Sequence, residues 1–127
     1  MNHDDEISFR YTRAQALADG LQVEVSETAR QAGISFPVFL TRTVFEKCVT
    51  VPPDVIGQDE AGRLWDVVWM LRIAILRGRP GHARLVIALY VRNDNRLAKL
   101  VKLVAQCGPF DFDDPRPAIT VMMPNED

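Results

Sequence analysis

The longest apolar pattern in this chain predicts a central helix over residues 58–76. The positions that recur at helical spacing are Leu64, Val68, Leu71 and Ile75. Asp59 and Glu60 place negative charge at the expected N-terminus of the helix, where the helix dipole favours it. Since only Arg72 interrupts the apolar residues from 67 to 76, the helix must be covered from several sides. We therefore expect it to be the core helix, with Trp65 and Trp69 buried on one flank.

Alternating apolar positions after this helix predict a hairpin. Residues 84–92 alternate so that Leu85, Ile87, Leu89 and Val91 share one face. The Asn-Asp-Asn sequence at 93–95 is typical of a turn, and residues 97–107 form the returning strand. Gly108-Pro109 is expected to end that strand, followed by an acidic loop at 110–117 and a last strand at 119–123.

The N-terminal half shows shorter elements, each bounded by capping or breaking residues. The predicted helices are 12–19, 26–32 and 43–49, with Thr12, Ser26 and Thr43 as their N-terminal caps. The predicted strands are 21–25 and 34–40, and Pro37 favours an edge position or a bulge for the second one. Residues 1–7 are expected to be flexible.

This order of elements favours one α+β domain over residues 1–127. A small antiparallel sheet, made of the C-terminal hairpin and the last strand, would pack on the long central helix. Short helices and strands would precede it, and parallel pairing of a minor strand stays open.

Composition is that of an ordinary soluble protein, with 47% hydrophobic and 25% charged residues. The apolar part of the central helix is shorter than the ~20 residues that a membrane span needs. The acidic start of the chain does not resemble a secretory signal, so we expect a cytoplasmic protein with no membrane contact. Cys48 and Cys107 lie in apolar segments and are interpreted as free thiols, although a disulfide between them stays open.

Charge is distributed unevenly along the chain. Residues 67–107 carry eight Arg or Lys against Asp94 alone, a net charge of +7, whereas residues 1–66 and 108–127 carry −5 and −4. The basic hairpin is either neutralised within the fold, for instance by the acidic loop 111–114, or presented to an acidic partner.

The hairpin supplies the main candidate binding residues. Arg84, Tyr90 and Arg92 alternate onto the face opposite the apolar positions, and Arg and Tyr are favoured at the centres of interfaces. Lys99 or Lys102 joins them from the returning strand, depending on the length of the turn: two residues direct Lys102 inward, and three direct Lys99 inward.

Catalytic patterns are absent from the sequence. No serine or cysteine lies in a recognisable nucleophile motif, and no phosphate-binding glycine loop is present. His3 and His82 have no metal-ligand spacing, so neither a metal nor a cofactor is expected. Arg10 and Arg13 flank the start of the first helix, where an anion could bind.

Four stretches resemble a family of short bacterial proteins of unknown function, similar to ones carried on plasmids and other mobile elements. They are Tyr-Thr-Arg-Ala-Gln-Ala-Leu-Ala-Asp-Gly at 11–20, Phe-Pro-Val-Phe-Leu-Thr-Arg at 36–42, the helix start at 58–70 and Ile-Thr-Val-Met-Met-Pro-Asn-Glu-Asp at 119–127. The resemblance implies no catalytic residues. It implies an accessory or anti-defence role, such as blocking restriction or CRISPR machinery.

Three hypotheses about function follow. The leading one is a non-enzymatic interaction protein that inhibits a defence complex by binding a protein or ribonucleoprotein with an acidic surface. The second is a small transferase or nuclease whose site is assembled from Arg10, Arg13 and carboxylates. The third is a nucleic-acid-binding protein that uses the basic hairpin.

Overall fold

The computed structural model describes residues 11–79 and 81–126. The flexible segment predicted at 1–7, and Arg10, lie outside the described residues. The helices are α1 (Arg13–Ala18), α2 (Ser26–Gln31), α3 (Arg42–Val44), which continues into a π-helical turn (Phe45–Val49), and α4 (Glu60–Arg77). The strands are β1 (Gln22–Glu24), β2 (Val38–Thr41), β3 (Arg84–Val91), β4 (Lys99–Asp111) and β5 (Asp114–Met122).

The five strands form one mixed sheet in the order β1-β2-β5-β4-β3. The C-terminal strands pair antiparallel, as predicted, but β2 pairs parallel to β5 and joins β1 to the same sheet. The fold class is therefore α+β as expected. The description of a small antiparallel sheet is wrong, because the N-terminal strands belong to the same five-stranded layer.

The core lies between one face of this sheet and the helices, with α4 packed mainly over β3 among the strands. Val67, Val68 and Leu71 of α4 are fully buried there, which confirms the predicted core helix. The inward residues of β3 are those that the alternation predicted, Leu85, Ile87, Leu89 and Val91. No helix of the described residues is long and apolar enough to cross a membrane.

Two predicted helix caps in the N-terminal half are wrong. Ser26 is buried, and its hydroxyl donates to Glu24 and accepts from the Val38 amide, so it ties α2 to β2 instead of capping a helix. The helix expected to start at Thr43 is capped by Thr41. The capping box of Thr12 and Gln15 is present as predicted.

Pro37 does not mark an edge strand. It precedes β2, which lies between β1 and β5, and its carbonyl accepts from the amide of Ile119. A proline is tolerated here because it stands just before the first residue of the strand.

Gly108-Pro109 does not end β4, and the acidic loop predicted at 110–117 is instead the tip of the β4–β5 hairpin. Pro109 lies opposite Pro117 of β5. The backbone nitrogen of Pro109 faces the β3 side of β4 and has no hydrogen to donate. Since β3 begins only at Arg84, opposite Gln106, no strand lies beside Pro109 on that side. The strand therefore continues through the proline without losing a hydrogen bond, and it bulges only between Pro109 and Asp111.

The connection between β3 and β4 is longer than the two or three residues considered from the sequence. β3 ends at Val91 and β4 begins at Lys99, so seven residues, 92–98, join them. The resulting register places Ala88 opposite Lys102 and Val91 opposite Lys99. This register decides which lysine shares a face with Tyr90.

Candidate functional site

The face of the β3–β4 hairpin that points away from α4 is the most exposed apolar surface of the sheet. We call its exposed part the outer face, and the exposed residues are Arg84, Val86, Ala88, Tyr90, Leu100 and Lys102. Tyr90, Val86 and Leu100 are 70%, 66% and 52% exposed. Exposed apolar groups this close together are typical of a contact surface.

The register brings Lys102 and Tyr90 together on this face. Lys102 lies opposite Ala88, and Tyr90 lies opposite Leu100, so the lysine and the tyrosine belong to neighbouring cross-strand pairs. Lys99 pairs with Val91, and its side chain therefore points to the other face of the sheet. Arg84 stands at the far end of the face, where its guanidinium donates to Gln106.

Arg92 is not part of the outer face. Its guanidinium donates to the carbonyl oxygens of Ile56 and Asp94 and to Oδ1 of Asn95, at 2.6, 2.9 and 3.3 Å. Asn95 in turn binds the backbone of Ile56 and Asp54. Arg92 therefore fastens the loop after β3 to the loop before α4, a structural role that the strand alternation does not reveal.

Arg13 is also held within the fold. Its guanidinium lies 4.0 Å from the ring centre of Phe39, and its Nε and NH1 groups donate to the Phe110 carbonyl and the Gln22 side chain. Phe39 and Phe110 contact each other edge to face at 5.5 Å. Arg13 thus stabilises the packing of α1 on the sheet, and the neighbouring hollow of about 210 Å³ is small for a catalytic cleft.

The acidic residues at the β4–β5 tip do not cover the outer face. Asp111 accepts hydrogen bonds from the backbone of Arg13, Ala14 and Phe112, and Asp114 pairs with Arg116. Burial by itself raises the pKa of Asp111, but these hydrogen bonds and the charge of Arg13 outweigh it and lower the pKa. The hydrogen bonds from Arg116 lower the pKa of Asp114. Both carboxylates therefore have local partners, and the expected neutralisation of the hairpin by this loop is not observed among the described residues.

A buried arginine next to the hairpin escaped the sequence analysis. Arg63 of α4 is only 6% exposed. Its guanidinium donates to the carbonyl oxygens of Lys47, Cys48 and Arg92, at 3.1, 2.9 and 3.3 Å. It also donates to side-chain oxygens of Gln58 and Asn93. Burial lowers the pKa of Arg63.

The sequence did hold a signal for Arg63. It stands four residues before the buried Val67, and so on the core side of the helix. The chain turns at Val51-Pro52-Pro53 after the π-helical turn, and two prolines supply no N–H groups for the last carbonyls of that helix. Arg63 takes the place of those missing donors.

A cleft of about 750 Å³ lies beside Arg63, between the first turns of α4 and the end of β3. Its walls include Asp59, Asp66 and Trp65 of the helix side and Tyr90 and Arg92 of the hairpin side. Trp65 and Trp69 stack with ring centres 5.8 Å apart and are 38% and 44% exposed, so the expectation that both are buried is wrong. The exposed part of Trp65 adds apolar surface to the wall of this cleft.

The two cysteines lie at a buried and a half-buried position. Both cysteines are free, and burial raises the pKa of the Cys48 thiol, which keeps it protonated. Within residues 11–79 and 81–126, no three His, Cys, Asp or Glu side chains are grouped so that they could hold a metal ion.

Comparison with protein-family models, curated proteins and solved structures gave no match to this chain.

Proposed function

We propose that this protein is a non-enzymatic interaction protein that binds a partner through the outer face. The observation that carries the proposal is the exposure of Tyr90, Val86 and Leu100 around Lys102, on strands whose opposite side is packed against the core. A tyrosine and two aliphatic groups around one cation favour a protein surface with apolar pockets and an acidic group.

The resemblance to proteins of mobile elements suggests the class of partner. We propose a protein or ribonucleoprotein of a host defence system, such as a restriction or CRISPR complex, which this protein inhibits by occupying an acidic surface. Inhibition by occupancy needs a contact face and no catalytic group, which fits the composition of the outer face.

The other two hypotheses have weaker support. An enzyme built on Arg13 is disfavoured because its Nε and NH1 groups are bonded within the fold. A nucleic-acid-binding face needs several phosphate contacts, whereas only Arg84 and Lys102 of the outer face are cationic and three of its residues are large and apolar. We therefore favour a protein contact.

Capture from a native host, followed by reconstitution with the purified partner, tests the proposal. Tyr90→Ala with Leu100→Glu should weaken binding by at least about tenfold, since truncating the centre of an interface costs ~2 kcal/mol or more. Lys102→Glu should weaken it further if the partner is acidic. Ile56→Glu, an exposed apolar residue outside the face, is the matched control and should bind normally.

Two results would overturn this function. Normal binding by the Tyr90/Leu100 variant, with a wild-type melting curve, would remove the outer face from the contact. Binding of purified DNA or RNA that falls steeply with salt and is lost with Lys102→Glu would make the protein a nucleic-acid binder instead.

A further inference from the structure

Among residues 11–79 and 81–126, strand β3 is the longer of the two edges of the sheet. In that part of the chain it pairs only with β4, and the opposite edge is β1, which is three residues long against eight for β3. A long edge strand presents a row of backbone donors and acceptors that another strand can bind.

The backbone groups that face outward can be identified from the ladder. The amide of Cys107 donates to the carbonyl of Ala83 at 2.7 Å, which makes Ala83 and Cys107 a hydrogen-bonded pair. Because such pairs alternate in an antiparallel ladder, the N–H and C=O groups of Val86, Ala88 and Tyr90 point away from β4. In the described part of the chain, no hydrogen bond reaches these groups.

The usual protection of an edge strand is missing from β3. Residues 85–91, Leu-Val-Ile-Ala-Leu-Tyr-Val, contain no charge and no proline, and their register with β4 has no bulge. Natural proteins interrupt long edges with such features to prevent pairing. Their absence from residues 85–91 leaves this strand suited to pairing with another strand.

The sequence of β3 is complementary to itself about Ala88. In an antiparallel pair centred on Ala88, Val86 lies opposite Tyr90 of a second copy, and Ile87 lies opposite its Leu89. The first contact is a pair of a β-branched and an aromatic residue, the kind that stabilises neighbouring strands. The smallest side chain of the strand lies at the symmetry axis, where the two chains meet.

The charges of α4 are also complementary under this symmetry. α4 packs over β3, so pairing of the two β3 strands brings two α4 helices side by side and antiparallel. The acidic start of one helix, with Asp59 and Glu60, then lies toward the basic end of the other, with Arg77 and Arg79. The dipoles of two antiparallel helices attract each other and therefore also favour this arrangement.

One like-charged pair opposes this arrangement, since Arg84 lies opposite Arg92 of the second copy. The guanidinium of Arg92 is directed to the carbonyl of Ile56, and so into its own loop and not along the strand. Asp59 lies with Arg92 in the wall of the cleft beside Arg63, and its negative charge offsets part of the repulsion between the two arginines.

We infer that the protein forms a two-fold symmetric dimer in which the β3 strands of two copies pair antiparallel about Ala88 and join their sheets into one of ten strands. This inference does not depend on the proposed function. The dimer places two outer faces side by side on one continuous sheet.

The mass of the full chain in solution tests the inference directly. Sedimentation equilibrium should give twice the 14.3 kDa of one chain. Ala88→Pro should give the single-chain mass, because it removes an outward N–H group that the β3–β4 ladder does not use. Hydrogen exchange of the wild type should show the amides of Val86, Ala88 and Tyr90 protected.

Cross-linking keeps the inference testable if Ala88→Pro fails to fold. In a Cys107→Ala background, Ala88→Cys should form a disulfide-linked dimer under mild oxidation, because the two Cα atoms are ~5.5 Å apart in a hydrogen-bonded pair. Val86→Cys, on the same face and equally accessible, is the matched control. Its two copies lie four residues apart along the strands, about 13 Å, and should not cross-link.

A wild-type protein that remains a single chain at millimolar concentration would overturn the inference. A dimer that survives Ala88→Pro, or cross-linking of Val86→Cys at the rate of Ala88→Cys, would do so as well. Lys102→Glu leaves the edge unchanged and should keep the dimeric mass. Loss of partner binding and loss of the dimer are therefore separate results.

Discussion

At the scale of single residues, the buried Arg63 and the exposed Asn93 hold the loops around the hairpin. Arg63 supplies hydrogen bonds to three backbone carbonyls from two different segments, and Asn93 donates to one of the same carbonyls, that of Lys47. A buried carbonyl without a donor costs free energy. The junction of the π-helical turn, α4 and the end of β3 is therefore held mainly by the Arg63 guanidinium, with Asn93 as a second donor to Lys47.

Replacing this guanidinium should be strongly destabilising. Arg63→Met should lower the free energy of unfolding by about 3 kcal/mol, because it leaves the buried Cys48 carbonyl and the partly buried Arg92 carbonyl without this donor. The free energy of unfolding of Arg63→Lys should lie between those of the wild type and Arg63→Met, since an ammonium group cannot reach all five acceptors. Arg30→Met, at an exposed site near the end of α2, is the control. It should change the free energy of unfolding by less than about 1 kcal/mol. Urea denaturation of the purified variants measures all three, and a wild-type midpoint for Arg63→Met would contradict the role of this residue.

Asp111 predicts a dependence of stability on pH. Its pKa is lowered in the folded protein, so its contribution is fully present above the unfolded value of about 4 and is lost as the pH falls through the folded value. Asp111→Asn should therefore lower the melting temperature at neutral pH, and the difference from the wild type should shrink below pH ~4. Asp113→Asn, at the exposed tip, is the control. An equal difference at neutral and acid pH would show that the charge of Asp111 does not matter.

At the scale of elements, α4 has two distinct sides. Its apolar residues extend almost all round, yet the helices and the sheet cover only the side of Val67, Val68 and Leu71. The Trp65/Trp69 stack and Leu76 remain exposed on the other side. Periodicity identified the helix, whereas the position of its neighbours decided which apolar residues are core.

Matched substitutions on the two sides of α4 should differ clearly in their effect on the free energy of unfolding. Leu71→Asp should cost several kcal/mol, because it places an uncompensated charge at a fully buried site. Leu76→Asp, five residues later and 62% exposed, should cost less than about 1 kcal/mol. Chemical denaturation at one protein concentration compares them. Equal destabilisation would mean that Leu76 is covered in solution.

At the scale of the whole molecule, the outer face leaves apolar and cationic groups together in water. Two acidic residues that follow the hairpin in sequence have local partners: Asp111 binds backbone amides of α1, and Asp114 pairs with Arg116. The uneven charge along the chain is therefore not cancelled over this face by the described acidic tip, and the face combines apolar area with positive charge.

An exposed face of this kind should bind an anionic apolar dye. We expect the folded protein to enhance the fluorescence of anilinonaphthalene sulfonate, and Leu100→Gln to reduce the enhancement with little effect on stability. Leu97→Gln changes a more exposed leucine in the 92–98 connection, outside the outer face, and should leave the signal unchanged. Equal signals from wild type and Leu100→Gln would mean that the dye binds another surface, such as the Trp65/Trp69 flank.

Much of the local structure was determined by the sequence alone. The Thr12–Gln15 capping box, the presence of the helix α4 and the inward residues of β3 follow from contacts within a few residues, which spacing encodes directly. Tertiary structure decided the rest. β2 pairs with β5 although the paired residues, such as Val38 and Ile119, are 81 positions apart in the sequence. Pro109 stays within a strand because no strand flanks its side that lacks an N–H group.

The candidate site divides in the same way. Alternation placed Arg84 and Tyr90 on one face of β3 from the sequence, but the seven-residue connection decided that Lys102, and not Lys99, shares it. Arg92 and Arg13 have the residue type expected of a binding site, yet carbonyl groups and aromatic rings from distant segments hold them in structural roles. Spacing along the chain fixes which way a side chain points, whereas the partner it meets is set by segments that only folding brings near.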